Sequence, residues 1–472
     1  MNQENLVFEN SNTWKKNKIL IILGVISLAI IIRLHYFSPE IPITMDGMYY
    51  FRYAIDVTVL GHFPEWHLTN NGWPLFLSLF FSLVESEDFL VYMSIQKLLA
   101  IIMSSLTAIP VYHLCKKFFD SRFAIIGSAL FVFQPYVIEN SIAGLTEPIF
   151  IFLTTSSLAL IFSNNKKMIY FAFAIGALAT MIRWEGITLF LAISTLYFWR
   201  FRNLKRSIPE YVILVMIFIL ILTPVLIMRM EILGTETITT SVISGSSAFS
   251  DEATSVNDDM SGPIFYLSKG LFQLIKLLGL VSIPIFLILI PSGVYFLFKN
   301  KISEKYKILV PIFILSITAF YAYSRGIEEV RYLLVLFPLF SIISLYPIQS
   351  IFKKISNGKI VLIAVFLIVI FTSVLFLEIR KVDERHEIEA AQIARKVVEL
   401  TTKINEYYTE SKYIRTGAMY NEVFPKLTSE INYGPDVAIT SKYNSLEKFI
   451  SESQISHLVV DDNKNRPDFL KE

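Results

Sequence analysis

Residues 45–74 read MDGMYYFRYAIDVTVLGHFPEWHLTNNGWP and lie between two strongly apolar segments, 18–36 and 89–114. Charged residues, two histidines and many aromatic side chains are concentrated in this stretch. A polar loop held at a membrane surface is by default a candidate functional site. The alternation of apolar and polar segments predicts a membrane fold, and the polar stretch predicts where its function lies.

The composition of the whole chain indicates a polytopic membrane protein. Of the 472 residues, 54% are hydrophobic and 17% are charged, which is more apolar than a soluble globular protein. The net charge of +2, without a basic stretch interleaved with aromatics, predicts no nucleic acid partner. Cys115 is the only cysteine, so an intrachain disulfide and a cysteine-based zinc site are excluded.

Apolar segments that are long enough to cross a bilayer recur along most of the chain. A helix needs roughly 17–25 residues to cross about 30 Å of hydrocarbon. By this criterion the sequence predicts eleven transmembrane helices and an all-α polytopic membrane protein. The predicted segments are 18–36, 89–114, 122–138, 146–163, 167–182, 186–200, 208–229, 270–298, 307–323, 331–350 and 359–377.

Lysine and arginine are concentrated in alternate loops, and this pattern predicts the orientation of the chain. The basic loops lie at 15–18, 116–122, 166–167, 200–206, 299–307 and 353–359. Because cytoplasmic loops carry the excess of basic residues, we expect an integral protein of the cell (plasma) membrane with a cytoplasmic N-terminus. The predicted outer loops are 37–88, 139–147 and 230–268.

The tail differs in composition from the rest of the chain and predicts a second domain. It begins with a charged helical pattern and later contains strand-like runs at Val437–Thr440 and His457–Val460. The sequence therefore predicts a transmembrane catalytic domain at 1–377 and a small extracytoplasmic α/β domain at 378–472.

Asp46 follows the first predicted helix closely and is the first candidate catalytic residue. A carboxylate at this place can act as general base on an acceptor hydroxyl, or it can hold a divalent cation such as Mg or Mn against a phosphate. The alternative is an ordinary solvated loop carboxylate. Tyr49, Tyr50 and Arg52 follow at once, and this concentration of polar and aromatic groups favours a site.

Glu147 lies in the stretch SIAGLTEPIF at 141–150 and is the second candidate acid. A structural interpretation explains it as part of a helix start, with Thr146 as the cap and Pro148 in the first turn. A helix start does not exclude a catalytic role, so both interpretations remain open.

Two arginines interrupt apolar sequence and are candidate phosphate ligands. Arg183 lies in RWEG together with Glu185, and Arg331 lies in EEVRY beside Tyr332. A guanidinium suits phosphate oxygens better than a lysine does. The alternative is that Arg183 and Glu185 only neutralise each other as an interfacial pair.

His62 and His67 have nearly the spacing of a helical zinc motif. Pro64 between them breaks the helix that such a motif requires. We therefore predict that these histidines do not bind zinc and are either polar groups that line a cleft or ordinary interfacial histidines.

The order of these motifs resembles that of the GT-C superfamily of membrane glycosyltransferases. The shared features are an acid in the first outer loop, TEP at a helix start, RWEG between two helices and RY at the start of a late helix. The pattern is most similar to protein O-mannosyltransferases and aminoarabinose transferases, which use a polyprenyl-phosphate-linked sugar. MDGMYYFRYA and SIAGLTE also resemble motifs of oligosaccharyltransferase catalytic subunits, although the WWDYG motif of those enzymes does not occur in this chain.

The resemblance implies a glycosyltransferase that moves a single sugar from a polyprenyl-phosphate donor to a protein, lipid or glycan acceptor. It implies Asp46 as base or metal anchor, although the family often has Asp-Glu where this chain has Asp46-Gly47. The implied ligands of the donor phosphate are Arg331, Arg183 and Arg52. The implied sugar and acceptor contacts are Tyr50, His62, Trp66, His67, Trp73, Glu185 and Tyr332.

Other classes of protein remain open at this point. Oligosaccharyltransferase-like transfer of a lipid-linked glycan is one, a transporter or flippase is another, and a receptor whose tail binds a partner is a third. A transporter places charged residues at mid-membrane in broken helices. The acids and arginines of this chain are instead concentrated at predicted outer helix ends, which favours the glycosyltransferase.

Overall fold

The computed structural model describes most of the first 381 residues and short pieces of the tail. The described residues are 12–43, 46–66, 68, 70–86, 88–201, 204–233, 263–299, 302, 304–381, 388–389, 392–393, 396, 416–418, 437–438, 445, 447–448 and 457–459. The predicted outer loop at 230–268 is helical at both ends, and its part from 234 to 262 lies outside the described residues.

Helices account for nearly all of the described structure up to Arg380, as the apolar pattern predicts. A 3-10 helix, Val330–Leu336, runs directly into the helix that follows it. The α-helices among the described residues are α1 (Asn12–His35), α2 (Asp46–Leu60), α3 (Gly72–Phe81), α4 (Phe89–Leu106), α5 (Ala108–Cys115), α6 (Ser121–Val132), α7 (Pro135–Ile142), α8 (Glu147–Ile161), α9 (Lys167–Ile182), α10 (Gly186–Arg200), α11 (Leu204–Leu233), α12 (Pro263–Val281), α13 (Phe286–Lys299), α14 (Tyr306–Ser324), α15 (Phe337–Lys354) and α16 (Gly358–Arg380).

The chain is an integral membrane protein. Six helical stretches in the described part of the chain are long and apolar enough to cross a membrane, and the bent pairs α6–α7 and α12–α13 raise this number to eight if each pair is one span. The three remaining predicted segments correspond to α8, α9 and α10, which have only 15 or 16 residues each. The predicted number of eleven spans therefore stays a prediction, as does the orientation.

The two bent pairs are connected by one buried side chain at their breaks. α6 and α7 are bent by 53°, and α12 and α13 by 113°. The side-chain oxygen of Gln134 accepts a hydrogen bond from the Tyr136 N–H at 2.7 Å, and its amide nitrogen donates to the Val281 carbonyl at 2.6 Å. Gln134 therefore caps α7 and satisfies a carbonyl at the end of α12, which stabilises both breaks.

Two glycines allow close approach of the short helices α3, α9 and α10. A Cβ at Gly72 would lie 2.7 Å from the carbonyl carbon of Met181, and one at Gly186 would lie 2.5 Å from the Cα of Thr180. Protein interiors are too closely packed to absorb such overlap with backbone atoms. The end of α9 is thus held against the start of α3 and the start of α10, and this packing positions the corner at 183–185.

The chain divides into two compact units. The first comprises Met1–Phe37, Tyr53–Ser82 and Lys97–Arg380, and the second comprises Ser38–Arg52, Leu83–Gln96 and Lys381–Glu472. The first unit holds α1, α3 and α5–α16 and is built from helices that pack on one another. The domain boundary predicted between residues 377 and 378 stays a prediction.

The described strands belong to the second unit and form a three-stranded parallel sheet. The strands are β1 (Thr416–Ala418), β2 (Val437–Ala438) and β3 (His457–Val459). Their order in the sheet is β2-β1-β3. β2 and β3 fall within the two strand-like runs that the sequence predicts in the tail.

Candidate active site

The corner between α9 and α10 presents the first charged residue of the site. Arg183 follows the last residue of α9 with an extended backbone, φ −149° and ψ 136°, so its side chain leaves the helical direction. The next peptide N–H, of Trp184, donates to Asn70 Oδ1 at 3.2 Å. Asn70 belongs to the polar stretch at 45–74, which therefore supports this corner.

Glu147 is the first residue of α8, as the helix-start interpretation predicts. Thr146 lies at the cap position, but its hydroxyl does not cap the helix. The hydroxyl oxygen instead accepts a hydrogen bond from Arg183 Nη1 at 2.8 Å. Thr146 therefore lies where the prediction places the cap. Its hydroxyl does not bind the start of the helix, because it binds the buried guanidinium of Arg183 instead.

Arg183 is enclosed by acceptors on two sides. Its Nη1 donates to Glu147 Oε1 in a short contact, and its Nη2 donates to Glu185 Oε1 at 2.6 Å. The Arg183 side chain is 8% exposed, and those of Glu147 and Glu185 are 4% and 18% exposed. The structure thus contains the ion pair between Arg183 and Glu185 that the sequence suggested. Glu147, from another helix, is a second anionic partner of Arg183.

The charge of Arg183 determines the ionisation of Glu185. Burial raises the pKa of Glu185, but the positive charge of Arg183 and the hydrogen bonds that it donates act in the opposite direction. The net effect holds the pKa of Glu185 below its usual value. Glu185 is therefore a permanent anion at neutral pH, which is suited to holding Arg183 and not to donating a proton.

Arg331 reaches the same carboxylate from the 3-10 helix. Its Nε lies 3.8 Å from Glu147 Oε1 and 3.7 Å from Glu329 Oε2, and its side chain is 19% exposed. Tyr332 places its ring beside both guanidiniums, with the centroid 5.7 Å from Arg183 Cζ and 6.0 Å from Arg331 Cζ. Acids and arginines thus alternate along a chain of contacts, which lowers the cost of burying them together.

These side chains line a small cleft that is open to solvent. The walls come from α8, α14, the 3-10 helix and the corner between α9 and α10, all in the first unit. The lining residues are Glu147, Phe150, Ile151, Arg183, Glu185, Thr318, Arg331, Tyr332 and Val335. Two arginines and two glutamates among them compensate each other, so the cleft combines polar groups with apolar walls.

Asp46, Tyr50 and Arg52 belong to the second unit. Asp46 is the first residue of α2 and is partly buried, Tyr50 is buried, and Arg52 is partly buried. In the same unit Gln96 Nε2 donates to the Gly47 carbonyl at 3.1 Å, which holds the first turn of α2 against α4. The catalytic role of Asp46 stays a prediction.

The aromatic candidates of the polar stretch have different environments. Trp66 is partly exposed, and its Nε1 donates to Asp56 Oδ2 at 2.7 Å. Trp73 is fully buried, stacks on Phe76 and donates to the Gly144 carbonyl at 3.3 Å. A fully buried indole has no face available to a sugar, so this environment favours a packing role for Trp73.

Of the two histidines, His62 is exposed, and His67 lies outside the described residues. His62 Nδ1 lies 2.8 Å from the Phe63 carbonyl oxygen. Their predicted roles as polar groups of a cleft stay predictions, as do the sugar contacts assigned to the tryptophans.

Sequence reasoning missed residues that support the site from apolar segments. Arg229, near the end of α11, is buried, and its Nη2 donates to the Leu68 carbonyl at 3.0 Å. Thr318 lines the cleft from the middle of α14. The only sequence feature that could have pointed to Arg229 was a charge near the end of an apolar segment. No sequence feature pointed to Thr318.

A divalent cation does not find a ready set of protein ligands in the described part of the chain. No group of three or more His, Cys, Asp or Glu side chains that could hold a metal occurs among the described residues. In the cleft, both carboxylates face arginines, which disfavours a cation there. The predicted role of Asp46 as a metal anchor stays a prediction, and no chemical step is derived through a metal.

The fold is similar to two crystal structures of the oligosaccharyltransferase of Archaeoglobus fulgidus, one in complex with Zn and sulfate and one in the apo form. Both have a TM-score of 0.57 and 12% sequence identity over 87% of this chain. The chain spans only 61% and 63% of the length of those two chains. No family model and no curated protein sequence matches this chain.

Proposed function

We propose that the protein is a glycosyltransferase that moves a single sugar from a polyprenyl-phosphate donor to an acceptor at the outer face of the membrane. The acceptor hydroxyl attacks the anomeric carbon, the bond from that carbon to the phosphate oxygen breaks, and the lipid phosphate leaves with the bonding electrons. The hydroxyl proton goes to a carboxylate, for which Asp46 is the candidate. A single displacement of this kind inverts the anomeric configuration.

The observation that carries the proposal is the pair of guanidiniums in one cleft, on a fold of GT-C type. Phosphate charge increases as the lipid phosphate leaves, and prearranged positive charge stabilises such a leaving group. The two arginines differ in how they are held: Arg183 donates four hydrogen bonds to Thr146, Glu147 and Glu185. Arg331 makes ion pairs at 3.7 and 3.8 Å, which are longer than hydrogen bonds.

We therefore assign different roles to the two arginines. Arg331 is the proposed phosphate ligand, because its side chain is the more exposed of the two, 19% against 8% for Arg183. Arg183 positions Glu147 and contributes its charge at longer range. Tyr332, whose ring lies beside both guanidiniums, provides an aromatic surface for a sugar or for the first isoprene units.

The direct test is glycosyl transfer by the purified full-length protein. The assay uses radiolabelled polyprenyl-phosphate hexoses with a membrane extract as the source of acceptors. We expect product with the wild type, and a loss of at least about a hundredfold with Arg331→Gln, because electrostatic groups of this kind contribute roughly 10²–10³ in rate. Lys353→Gln, at the end of α15, is a matched control that removes a positive charge far along the chain from the cleft. Equal activity of wild type and Arg331→Gln would overturn the role of Arg331.

The second candidate function is transfer of a preassembled glycan from a lipid carrier to a peptide. The similarity of the fold to the Archaeoglobus fulgidus oligosaccharyltransferase favours it. The WWDYG motif does not occur in this sequence, which favours transfer of a single sugar. Mass spectrometry of the product distinguishes the two, since one hexose or a whole glycan is added to the acceptor.

A further inference from the structure

We propose that Glu147 recognises the sugar of the donor: its Oε2 accepts a hydrogen bond from a sugar hydroxyl while the donor phosphate takes the place of Glu147 at Arg331. The inference rests on the proposed function and assigns a specificity-determining role within the same cleft. It predicts that the cleft distinguishes a glycosylated lipid phosphate from a bare one.

The two oxygens of the Glu147 carboxylate have different environments. Oε1 accepts from Arg183 Nη1 and lies 3.8 Å from Arg331 Nε. Oε2 is buried and has no hydrogen-bond partner among the described residues. The side chain is 4% exposed and lines the cleft. A buried carboxylate oxygen without a donor is costly, and a ligand that supplies the donor recovers that cost on binding.

The charges of the cleft select the type of donor that Oε2 can accept. A metal ion or an ammonium group at this oxygen would lie close to two guanidiniums, and like charges repel strongly at such short range. A neutral hydroxyl meets no such repulsion. The apolar walls formed by Phe150, Ile151 and Val335 suit the ring face of a sugar better than a solvated ion.

The same carboxylate competes with the donor phosphate. Glu147 Oε1 and Glu329 Oε2 are two anionic partners of Arg331, and a phosphate at Arg331 competes with both. A bare lipid phosphate meets the repulsion of Glu147 without any compensating hydrogen bond. A glycosylated phosphate meets the same repulsion and gains the hydrogen bond from its hydroxyl to Oε2.

Substitution of Glu147 by glutamine therefore changes the affinities for the two ligands in opposite directions. Glutamine retains an oxygen that accepts from Arg183, so the corner stays supported, but it removes the negative charge. Binding of a bare polyprenyl phosphate should strengthen severalfold, because Arg331 loses a competing anion. Binding of the glycosylated phosphate should weaken by about 10- to 100-fold, the effect of losing a hydrogen bond to a charged group.

The experiment measures equilibrium binding to the full-length protein in detergent by microscale thermophoresis. The probes are polyprenyl phosphate and polyprenyl phosphates that carry mannose, glucose, galactose or N-acetylglucosamine. The wild type should bind at least one glycosylated probe about tenfold more tightly than the bare phosphate. Monodeoxy forms of that probe test the wild type without any substitution, and removal of one particular hydroxyl should abolish the preference.

Glu329→Gln is the matched control variant. Glu329 also contacts Arg331, but it is 53% exposed and does not line the cleft. We expect a modest gain in affinity for both probes and an unchanged preference for the sugar. Circular dichroism and the melting temperature of each variant report on folding.

The outcomes separate this inference from the proposed function. Equal affinity of the wild type for all glycosylated and bare probes would overturn sugar recognition by Glu147 and leave phosphate binding intact. Loss of both types of binding by the same factor in Glu147→Gln would show that Glu147 only holds Arg183. A wild type that binds none of the probes would overturn the proposed function itself.

Discussion

Replacing Arg183 by methionine tests whether the charged cluster holds the corner between α9 and α10 together. The substitution keeps much of the side-chain length but removes the guanidinium that joins Glu147 and Glu185. The two carboxylates, which are only 4% and 18% exposed, then lose their main counter-charge. Removal of one partner from a buried ion pair costs roughly 3–5 kcal/mol, and two stranded carboxylates place Arg183→Met at the upper end of that range.

The assay is thermal unfolding of the purified protein in detergent at pH 7 and at pH 4. We expect the melting temperature of Arg183→Met to fall by several degrees at pH 7 and the difference from wild type to shrink at pH 4. Protonation neutralises Glu185, which in this variant has lost the positive charge of Arg183 that favours its ionised form, and a neutral buried acid costs less than a charged one.

Arg122→Met provides a matched control for this experiment. Arg122 pairs with Asp120 at 3.2 Å, but the two side chains are 33% and 25% exposed. Such a pair contributes about 0–1 kcal/mol. If Arg183→Met were as mild as Arg122→Met, or if its effect did not depend on pH, the idea of a buried, mutually compensating cluster would be refuted.

Three further predictions concern the candidate base, the acidic partner of Arg183 and the orientation. Asp46→Asn should lower glycosyl transfer by at least about a hundredfold, the scale of general-base catalysis, while lipid phosphate still binds; near-normal transfer would leave Asp46 as a solvated carboxylate. Because the pKa of Glu185 lies below its usual value of 4.5, its charge contributes stability above that pH, and this contribution is lost as the pH falls through the lowered pKa. Glu185→Gln should therefore lower the melting temperature at pH 7, and the loss should shrink as the solution is made more acidic; a loss that does not change with pH would contradict the assignment. A reporter fused after Asp383 should be active only when exported, and cytoplasmic activity would reverse the predicted orientation.

The sequence alone was sufficient for the class of fold. The apolar segments were found at their positions because burial in a bilayer needs about 20 consecutive apolar residues, and that signal is local. The start of α8 at Glu147 was predicted correctly from TEP, since proline and an acid in the first turn favour a helix start. Both strand-like runs of the tail also contain strands.

The apolar pattern of the sequence did not reveal where helices break within a predicted span. The break at Gln134 and the bend between α12 and α13 interrupt segments that are continuous in hydropathy. Gln134 was inconspicuous in the sequence because its role depends on the Val281 carbonyl, 147 positions away. Helices α9 and α10 have the bounds that the apolar pattern predicts, and α8 is shorter than its predicted segment 146–163. All three have only 15 or 16 residues, so length alone does not identify them as spans.

The site itself was decided by tertiary structure. Sequence reasoning named Glu147, Arg183, Glu185 and Arg331 but left open whether each was a structural pair or a ligand contact. The fold brings them together from positions up to 184 residues apart, and the contact between Arg331 and Glu147 could not be read from either motif alone. The apolar pattern specifies which segments are buried in the membrane, whereas the choice of neighbours depends on side-chain packing between distant helices, as at Gly186.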